Sequence, residues 1–323
     1  MQYRKLGRTG WQVSGIGHGL WGMSGWSGSD DAQSRASMQL SCDLGCNFYD
    51  TAWAYGEGKS DALLGELMAN NPGKRIYAAS KVPPKNRKWP ATSQYKLRDT
   101  FPADHVYDFA GKIREKLKVE TIDLLQFHVW DDSWADDPEW IETVQTLKAR
   151  KTIHAFGISL NRWEPENGIK ALRKACVDTV QVVYNVLDQD PENELFKVCK
   201  ELDIGIIARV PLDEGSLSGN FTLDTKFPAS DFRHNYFKAE NLKNTVERVE
   251  KLKTVVPPGM SLPEMAFRFI LSNPDVSTTI PGMRSIENVK KNIALCDGKP
   301  LNEALIRELR KHNWGRTANP SLG

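Results

Sequence analysis

The feature that most constrains the fold of this chain is a regular alternation of short apolar runs with longer amphipathic stretches. Eight apolar runs follow one another along the sequence, at residues 16–19, 47–50, 75–80, 122–128, 154–160, 179–184, 204–210 and 276–280. Short strands that are each followed by a helix imply parallel pairing with right-handed crossovers. Eight such units close into a (β/α)8 TIM barrel. We therefore predict an α/β fold with one barrel domain over residues 1–323.

Other segments lie outside the eight units. Residues 3–6 and 11–13, joined by a turn at 7–10, predict an N-terminal β-hairpin. Helical spacing marks the segments 106–117, 140–149, 169–176, 195–202, 265–271 and 289–295. Two further helices, predicted at 241–256 and 301–312, would pack outside the barrel or across its base. The long loop at 213–239 is unusual in a compact domain and indicates a lid or a ligand-binding segment.

Composition excludes several classes of partner. The net charge is +2, and no Lys/Arg run is dense enough to predict nucleic-acid or membrane binding, so small-molecule chemistry is favoured. The start lacks an apolar signal core, and no uncharged apolar stretch of about 18 residues occurs, which predicts a cytoplasmic location. The five cysteines form no C-x-x-C pair and are interpreted as reduced core thiols, with no metal site. Nothing indicates the oligomeric state.

Residues 17–22 read GHGLWG and satisfy the pattern G-x-G-x-x-G. In dinucleotide-binding folds that pattern lies between a strand and the helix whose N-terminal amides hold the pyrophosphate. Here residues 23–29, MSGWSGS, are too rich in Gly and Ser to open a helix. We interpret the glycines as allowing a tight turn at the end of a barrel strand.

Polar residues collect where the predicted strands end, which is where a barrel places its active site. They are Asp50, Tyr55, Lys81, His128, Ser159, Gln181 and Arg209. A tyrosine hydroxyl becomes an effective acid-base group when a nearby cation favours its phenolate form. Lys81 would be that cation and Asp50 would hold it, while His128 would orient a carbonyl oxygen as negative charge develops. Taken singly, each of these four residues has a simpler interpretation. Asp50 could cap the next helix, and Tyr55 could be a packing aromatic. Lys81 could be a charge at the barrel rim, and His128 a core histidine.

Several motifs carry a family resemblance. They are Tyr3–Gly10 (YRKLGRTG), 48–52 (FYDTA) with Tyr55-Gly56, 123–128 (DLLQFH), 157–159 (GIS) and the turn from Ile280-Pro281-Gly282 through Asn292. On these residues the chain resembles the aldo-keto reductases over essentially its whole length. The resemblance implies a catalytic tetrad of Asp50, Tyr55, Lys81 and His128, with Tyr55 as general acid. It also implies NAD(P)H-dependent reduction of an aldehyde or ketone to an alcohol, or the reverse.

The resemblance further implies a nicotinamide cofactor that lies extended across the barrel mouth. Its expected contacts are Gly19, Leu20, Trp21, Asp50, Ser159, Gln181, Arg209, Pro211, Leu212, Gly215, Leu217, Gly282, Arg284, Asn288 and Asn292. Ser159 and Gln181 would bind the carboxamide, and backbone amides of the 212–217 segment would cover the pyrophosphate. An arginine such as Arg284 can bind a 2′-phosphate, which favours NADP(H), with NAD(H) possible.

The chain departs from the family pattern at three points. Leu160 follows Ser159, with Asn161 one place later, where many members have Asn directly. Arg209 replaces an aromatic that stacks on the nicotinamide; a guanidinium can also stack, but it adds positive charge that could alter hydride donation or hold an anionic substrate. Gly282 and Met283 replace the Lys-Ser pair often found there, so 2′-phosphate recognition would rest more heavily on Arg284.

The substrate is expected to be a small carbonyl or alcohol. The predicted substrate contacts are Trp21, Trp53, Tyr55, His128 and Trp130, and indoles there favour an apolar or sugar-like face. Two alternatives stay open at this point. One is a metal-dependent barrel hydrolase that uses His128, His154 and the pair Asp131 and Asp132. The other is a cofactor-sensing channel subunit, although the chain lacks the N-terminal extension expected of a channel-blocking segment.

Overall fold

A computed structural model describes residues 1–23 and 28–317 of the chain. Its central element is a parallel sheet of eight strands in the order β10-β9-β8-β7-β6-β5-β4-β3. The strands are β3 (His18–Gly19), β4 (Phe48–Asp50), β5 (Tyr77–Val82), β6 (Ile122–Phe127), β7 (Ile153–Ser159), β8 (Thr179–Val183), β9 (Gly205–Arg209) and β10 (Thr278–Thr279). Parallel bridges from Ile16 to Thr279 and from Gly19 to Gly282 join the two edges. The predicted (β/α)8 barrel is confirmed.

Helices follow the strands and cover the outside of the sheet. They are α1 (Asp31–Asp43), α2 (Lys59–Asn70), α3 (Leu97–Thr100), α4 (Ala103–Leu117), α5 (Pro138–Ala149), α6 (Ile169–Leu172), α7 (Leu195–Glu201), α8 (Arg233–Tyr236), α9 (Ala239–Lys253), α10 (Leu262–Ser272), α11 (Ile286–Ala294) and α12 (Glu303–Arg310). Every residue of β6 and β8 is buried, as expected for strands with side chains packed inside the barrel and helices on the other face. Among the described residues, no helix is long and apolar enough to cross a membrane.

The G-x-G-x-x-G stretch at residues 17–22 lies where the first and last strands of the barrel meet. A Cβ on Gly19 would lie 2.6 Å from the carbonyl oxygen of Ile280, so only glycine lets the first and last strands approach at this point. The strand ends in a 3-10 turn at Trp21–Met23 rather than at a helix N-terminus. The prediction that no helix opens over 23–29 falls partly on residues 24–27, outside the described residues, as does the end of the predicted domain at 318–323.

The hairpin is present as β1 (Tyr3–Lys5) and β2 (Gln12–Ser14), and α9 and α12 are the two additional helices. The segment 213–239 carries more structure than the loop we predicted. It contains a 3-10 turn at Asp213–Ser218 and helix α8, and α9 begins at Ala239 rather than at 241. Buried Tyr236, Phe237 and Leu242 hold this segment through their own small apolar cluster. The helix predicted at 169–176 is shorter and ends at Leu172.

Candidate active site

A buried ion pair lies at the centre of the barrel mouth. The Lys81 ammonium donates to Asp50 Oδ2 at 2.7 Å and to the backbone oxygen of Thr51 at 2.8 Å. The Lys81 side chain is completely buried, and that of Asp50 is 4% exposed. Both residues lie near the C-terminal ends of neighbouring parallel strands, β5 and β4, so the sheet itself brings them together. Buried charges in proteins are paired in this way because an unpaired charge is costly to desolvate.

Tyr55 and His128 complete the group at the same mouth. The Lys81 ammonium lies 5.2 Å from the centroid of the Tyr55 ring. The Tyr55 and His128 rings meet edge to face, with centroids 5.6 Å apart. His128 follows β6 directly, and Tyr55 lies in the turn between β4 and α2. The structure therefore brings the four residues of the predicted tetrad together.

The electrostatics of this group set the protonation states. Burial raises the pKa of Tyr55; Lys81 and Arg209 act in the opposite direction, and Asp50 adds to the rise. The lysine thus favours the phenolate as expected, but burial outweighs it in the structure. Burial lowers the pKa of Lys81, but Asp50 and Tyr55 more than compensate, so that the net pKa is raised. Burial, Lys81 and Arg209 hold the pKa of His128 well below its usual range, which leaves a neutral imidazole.

Asp50 is held from the other side by amide groups. Gln181 Nε2 donates to Asp50 Oδ1 at 2.7 Å, and Gln126 Nε2 approaches the same oxygen at 3.4 Å. The Gln181 amide, which we predicted to bind a carboxamide, is therefore already engaged with Asp50 in the structure. Sequence reasoning did not single out Gln126, although it lies opposite Lys81 in the register of β5 and β6. Ser159, at the end of β7, is aligned with Gln181.

Two partly exposed indoles, those of Trp89 and Trp21, lie in segments that follow barrel strands. Trp89 packs edge to face on His128 with centroids 5.8 Å apart and is 41% exposed. It was missed because it lies in an irregular segment with no periodicity. Asn161 holds this segment, since its side chain accepts from the Ala91 amide at 3.2 Å and donates to the Ala91 oxygen at 2.9 Å. The half-exposed Trp21 packs edge to face against Phe232, with ring centroids 5.3 Å apart.

Two predicted substrate residues do not lie as expected. Trp130, a predicted substrate contact, packs in the core: its ring is fully buried among Phe127, Trp134 and Trp140, and its indole nitrogen donates to Asp132. The side chain belongs to the main hydrophobic core. Trp53 packs on Phe109 of α4, with centroids 5.3 Å apart, and is half-buried.

Arg209 is a second cation at this mouth. Its Nη2 donates to the backbone oxygen of Leu160 at 2.9 Å, while its buried Nε has no hydrogen-bond partner among the described residues. Burial and the neighbouring Arg162 lower the pKa of Arg209 to about 10, against the opposing effect of Glu214. Arg209 nevertheless remains charged at neutral pH, close to Tyr55.

The predicted cofactor segments lie beside the mouth. Gly19 and Leu20 are buried at the barrel closure, and Pro211 is buried after β9. The backbone amides of Gly215 and Leu217 both donate to the oxygen of Leu212, so these two amides are already used in the structure. Gly282 is exposed, Arg284 lies along Gly22, and Asn288 and Asn292 lie on α11. The Asn288 amide donates to the Ser285 cap.

The hydrolase alternative is not supported by the geometry. His154 is the second residue of β7, exposed at the N-terminal end of the barrel, whereas His128 follows the C-terminal end of β6. The two histidines therefore lie at opposite ends of the barrel. In the part of the chain that the structure describes, no group of three or more His, Cys, Asp or Glu side chains is arranged to hold a metal ion.

A sequence model of the aldo/keto reductase family matches residues 15–313. The chain belongs to this family. It is accordingly an oxidoreductase of the class that acts on carbonyl compounds. The resemblance seen in the sequence is thereby confirmed.

Individual aldo-keto reductases are similar over nearly their full lengths. The uncharacterized oxidoreductase YqkF of Bacillus subtilis is 26% identical over 313 residues, which cover 97% of this chain and 96% of the relative. The NADP(+) aldo-keto reductase yakc of Schizosaccharomyces pombe is 26% identical, with 95% and 90% covered. The holo form of aldo-keto reductase AKR11C1 from Bacillus halodurans superimposes with a TM-score of 0.78 at 24% identity, over 100% of both chains. That likeness supports the barrel fold.

Proposed function

We propose that this aldo-keto reductase is an NADP(H)-dependent carbonyl reductase and alcohol dehydrogenase in which Tyr55 is the proton donor. The observation that carries the proposal is the buried Lys81–Asp50 pair with Tyr55 and His128 around it at one barrel mouth. In the reduction, a hydride adds to the carbonyl carbon and the Tyr55 proton goes to the oxygen as the C=O π bond breaks. A reduced nicotinamide would supply the hydride when bound.

The residues at the mouth fit a polar ligand such as a carbonyl substrate or a nicotinamide. His128 Nδ1 and Arg209 Nε are both buried, and the described residues give neither a hydrogen-bond partner. Buried polar groups are normally hydrogen-bonded, so unpartnered atoms at a cleft are a mark of a ligand site. The cofactor contacts expected from the family resemblance, from Gly19 to Asn292, are proposed for this ligand, with Arg284 offered for a 2′-phosphate. The name of the S. pombe relative supports NADP(H), and NAD(H) is the second choice.

Each residue of the tetrad has a distinct role. Lys81 stabilises the Tyr55 phenolate that forms as the proton leaves, and Asp50 keeps the ammonium fixed. His128 is neutral and can donate a hydrogen bond to the substrate oxygen without giving up its proton. Trp21 and Trp89 present partly exposed rings, which favours substrates with an apolar face.

A Tyr55→Phe variant tests the proposal. Removal of the hydroxyl should lower the rate of carbonyl reduction by about 100- to 10,000-fold, because general acid catalysis contributes on that scale. Quenching of tryptophan fluorescence by NADPH should stay saturable, and it should be tighter than quenching by NADH. Tyr107→Phe, on α4 away from the mouth, is the matched control and should keep full activity.

Each contrary outcome has a separate meaning. Reduction retained by Tyr55→Phe would assign the proton donor to another group. Saturable NADPH binding without turnover by the wild-type chain on any carbonyl would favour the cofactor-sensing role. Absence of binding of both NADPH and NADH would contradict the proposal as a whole.

A further inference from the structure

An arginine near the end of the chain joins three separate loops at the catalytic end of the barrel. Arg316 Nε donates to Asp188 Oδ1 at 2.8 Å, Nη2 donates to Asp213 Oδ1 at 2.7 Å, and Nη1 donates to the Tyr236 hydroxyl at 3.2 Å. A further bond from Nη2 reaches Asp188 Oδ2. The side chains of Arg316, Asp188 and Asp213 are only 6%, 7% and 1% exposed. We call these three residues the arginine clasp.

The clasp is enclosed by aromatic rings. The Arg316 guanidinium lies 5.1 Å from the ring centroid of Trp163 and 4.6 Å from that of Trp314. The segment that carries Arg316 has further contacts on the loop of Asp188, since the Trp314 amide donates to the Leu187 oxygen at 2.8 Å and Asn313 accepts from the Gln189 amide at 3.0 Å. Arg316 is thus held beside Asp188 by contacts on both sides of that residue.

One of the loops that the clasp holds has a strained backbone. Val210, Asp213 and Glu214 have φ angles of 59°, 44° and 55°, in the left-handed region that favours glycine. Such conformations persist only where the surroundings determine them. Two neighbouring residues are held by side chains from distant segments, Asp213 by Arg316 and Glu214 by Arg162. These two contacts therefore help to hold the loop conformation, together with the Ser216 hydroxyl, which donates to Asp213 Oδ2 at 2.7 Å.

The clasp balances two carboxylates with one guanidinium. Burial acts against the charge of Arg316, but Asp213 and Asp188 together raise its pKa, so it is always charged. Burial raises the pKa of Asp188 and Asp213 adds to that rise, with Arg316 opposing both. Without the guanidinium, two buried carboxylates would face each other, and their repulsion would favour an open loop.

We propose that Arg316 is a positioning residue that holds the segment 210–219 in the conformation described above, so that the arginine clasp sets the rate at which the cofactor leaves. This inference rests on the proposed function, which assigns Leu212, Gly215 and Leu217 to the cofactor site. Loop opening and product release limit turnover in many enzymes, so a clasp on this segment acts on release rather than on chemistry.

The test compares Arg316→Gln with Arg310→Gln. Arg310 comes from the same end of the chain and pairs with Glu192 at the surface, with its side chain 51% exposed, and so serves as the matched control. Release of NADPH is followed by stopped-flow tryptophan fluorescence after displacement by excess NADP+. We expect release at least about tenfold faster in Arg316→Gln and within about twofold of wild type in Arg310→Gln. Hydride transfer in a single turnover from the saturated complex should change by less than about twofold, because the tetrad is untouched.

Milder variants keep the test decisive if Arg316→Gln does not fold. Arg316→Lys retains the charge but cannot bridge both carboxylates and the tyrosine, and it should release NADPH at an intermediate rate. Tyr236→Phe removes one hydrogen bond and should accelerate release slightly. A lower melting temperature with an unchanged release rate in the folded variants would overturn the inference and leave Arg316 a purely structural role. Absence of NADPH and NADH binding to the wild-type chain would instead overturn the proposed function, and this inference with it.

Discussion

Two buried ionic networks lie at the catalytic end of the barrel, and they differ in what carries them. Lys81 and Asp50 project from adjacent strands that hydrogen-bond to each other along the sheet. The arginine clasp joins residues from two loops and the end of the chain. The sheet fixes the positions of Lys81 and Asp50. In the arginine clasp, by contrast, the ionic contacts themselves hold the loops in place. Similar burial and similar charges therefore give a rigid reaction centre in one place and a conformational constraint in the other.

The two networks also differ in how their charges are balanced. Asp50 is held by one ammonium and by the amide groups of Gln181 and Gln126, which remain if the cation is removed. In the clasp one guanidinium serves two carboxylates. Loss of Lys81 should therefore mainly lower the rate of catalysis. Loss of Arg316 should mainly change the conformation of the loops that it joins.

Lys81→Met should have the largest effect. The rate of carbonyl reduction should fall by about 1,000-fold or more, because Tyr55 loses the cation that favours its phenolate. The free energy of unfolding should also fall by about 3–5 kcal/mol, because Asp50 becomes an unpaired buried charge. The measurements are steady-state kinetics and urea unfolding. Lys85→Met is the control, because Lys85 follows β5 and has a half-exposed side chain. It should have little effect on the reduction rate or on the free energy of unfolding.

A folded Lys81→Met variant with wild-type turnover would contradict the assignment of Lys81. A loss of activity without a loss of stability would show that water or the glutamine amides satisfy Asp50 when the cation is absent.

Asp61 differs from the carboxylates of both networks, because it is buried without a direct cationic partner. Ser80 donates to its Oδ1 at 2.6 Å, while Oδ2 has no partner among the described residues. Burial raises the pKa of Asp61 to about 7. Between about pH 4 and pH 7 the folded chain therefore holds a proton that the unfolded chain has released, so this residue makes stability fall as the pH rises. Above that window the loss is complete.

Asp61→Asn should remove this part of the pH dependence. The free energy of urea unfolding, measured from pH 5 to pH 8, should fall less steeply in the variant than in wild type, by up to about 1.4 kcal/mol per pH unit inside the window. Asp104→Asn, at an exposed position on α4, is the control and should leave the wild-type slope in place. Parallel curves for Asp61→Asn and wild type would contradict the raised pKa.

Much of the fold and the tetrad could be predicted because both follow from strand ends. Parallel strands place their C-terminal residues at one mouth, so Asp50, Lys81 and His128 could be grouped without knowledge of any long-range contact. The packing of Trp130 against Trp134 and Trp140 could not be predicted, because proximity to His128 along the chain does not say where a side chain packs. Trp89 was missed because its segment has no periodic pattern.

The arginine clasp could not be predicted from local pattern at all. Arg316 lies 103 residues from Asp213 and 128 from Asp188, and the latter two residues lie in separate loops. Only tertiary packing brings them together. The same holds for Asn161, whose role on the Ala91 backbone depends on a contact 70 residues away.

Arg209→Gln should have a smaller effect, which the pH profile reports most directly. Arg209 lowers the pKa of Tyr55, so removal of its charge should raise that pKa. Since Tyr55 must be protonated to act as an acid, the basic limb of kcat/KM for reduction should move to higher pH. Arg98→Gln, on an exposed face of α3, is the control. An unchanged profile in Arg209→Gln, with NADPH affinity also unchanged, would leave Arg209 without an electrostatic role at the tyrosine.

The smallest effect is expected for an ion pair outside both networks. Lys112 pairs with Asp108 one turn away on α4, with both side chains about half exposed (45% and 52%). Solvent screens such a pair, and the side-chain entropy lost on pairing offsets most of the attraction, so Lys112→Gln should change the free energy of unfolding by about 0.5 kcal/mol or less. The same urea unfolding experiment that reports on Lys81→Met measures it. A loss of stability as large as that of Lys81→Met would contradict this expectation. An ammonium–carboxylate contact of 2.6 Å would then contribute equally in water and inside the barrel. Burial would therefore not be what distinguishes the two ionic networks from the surface pairs.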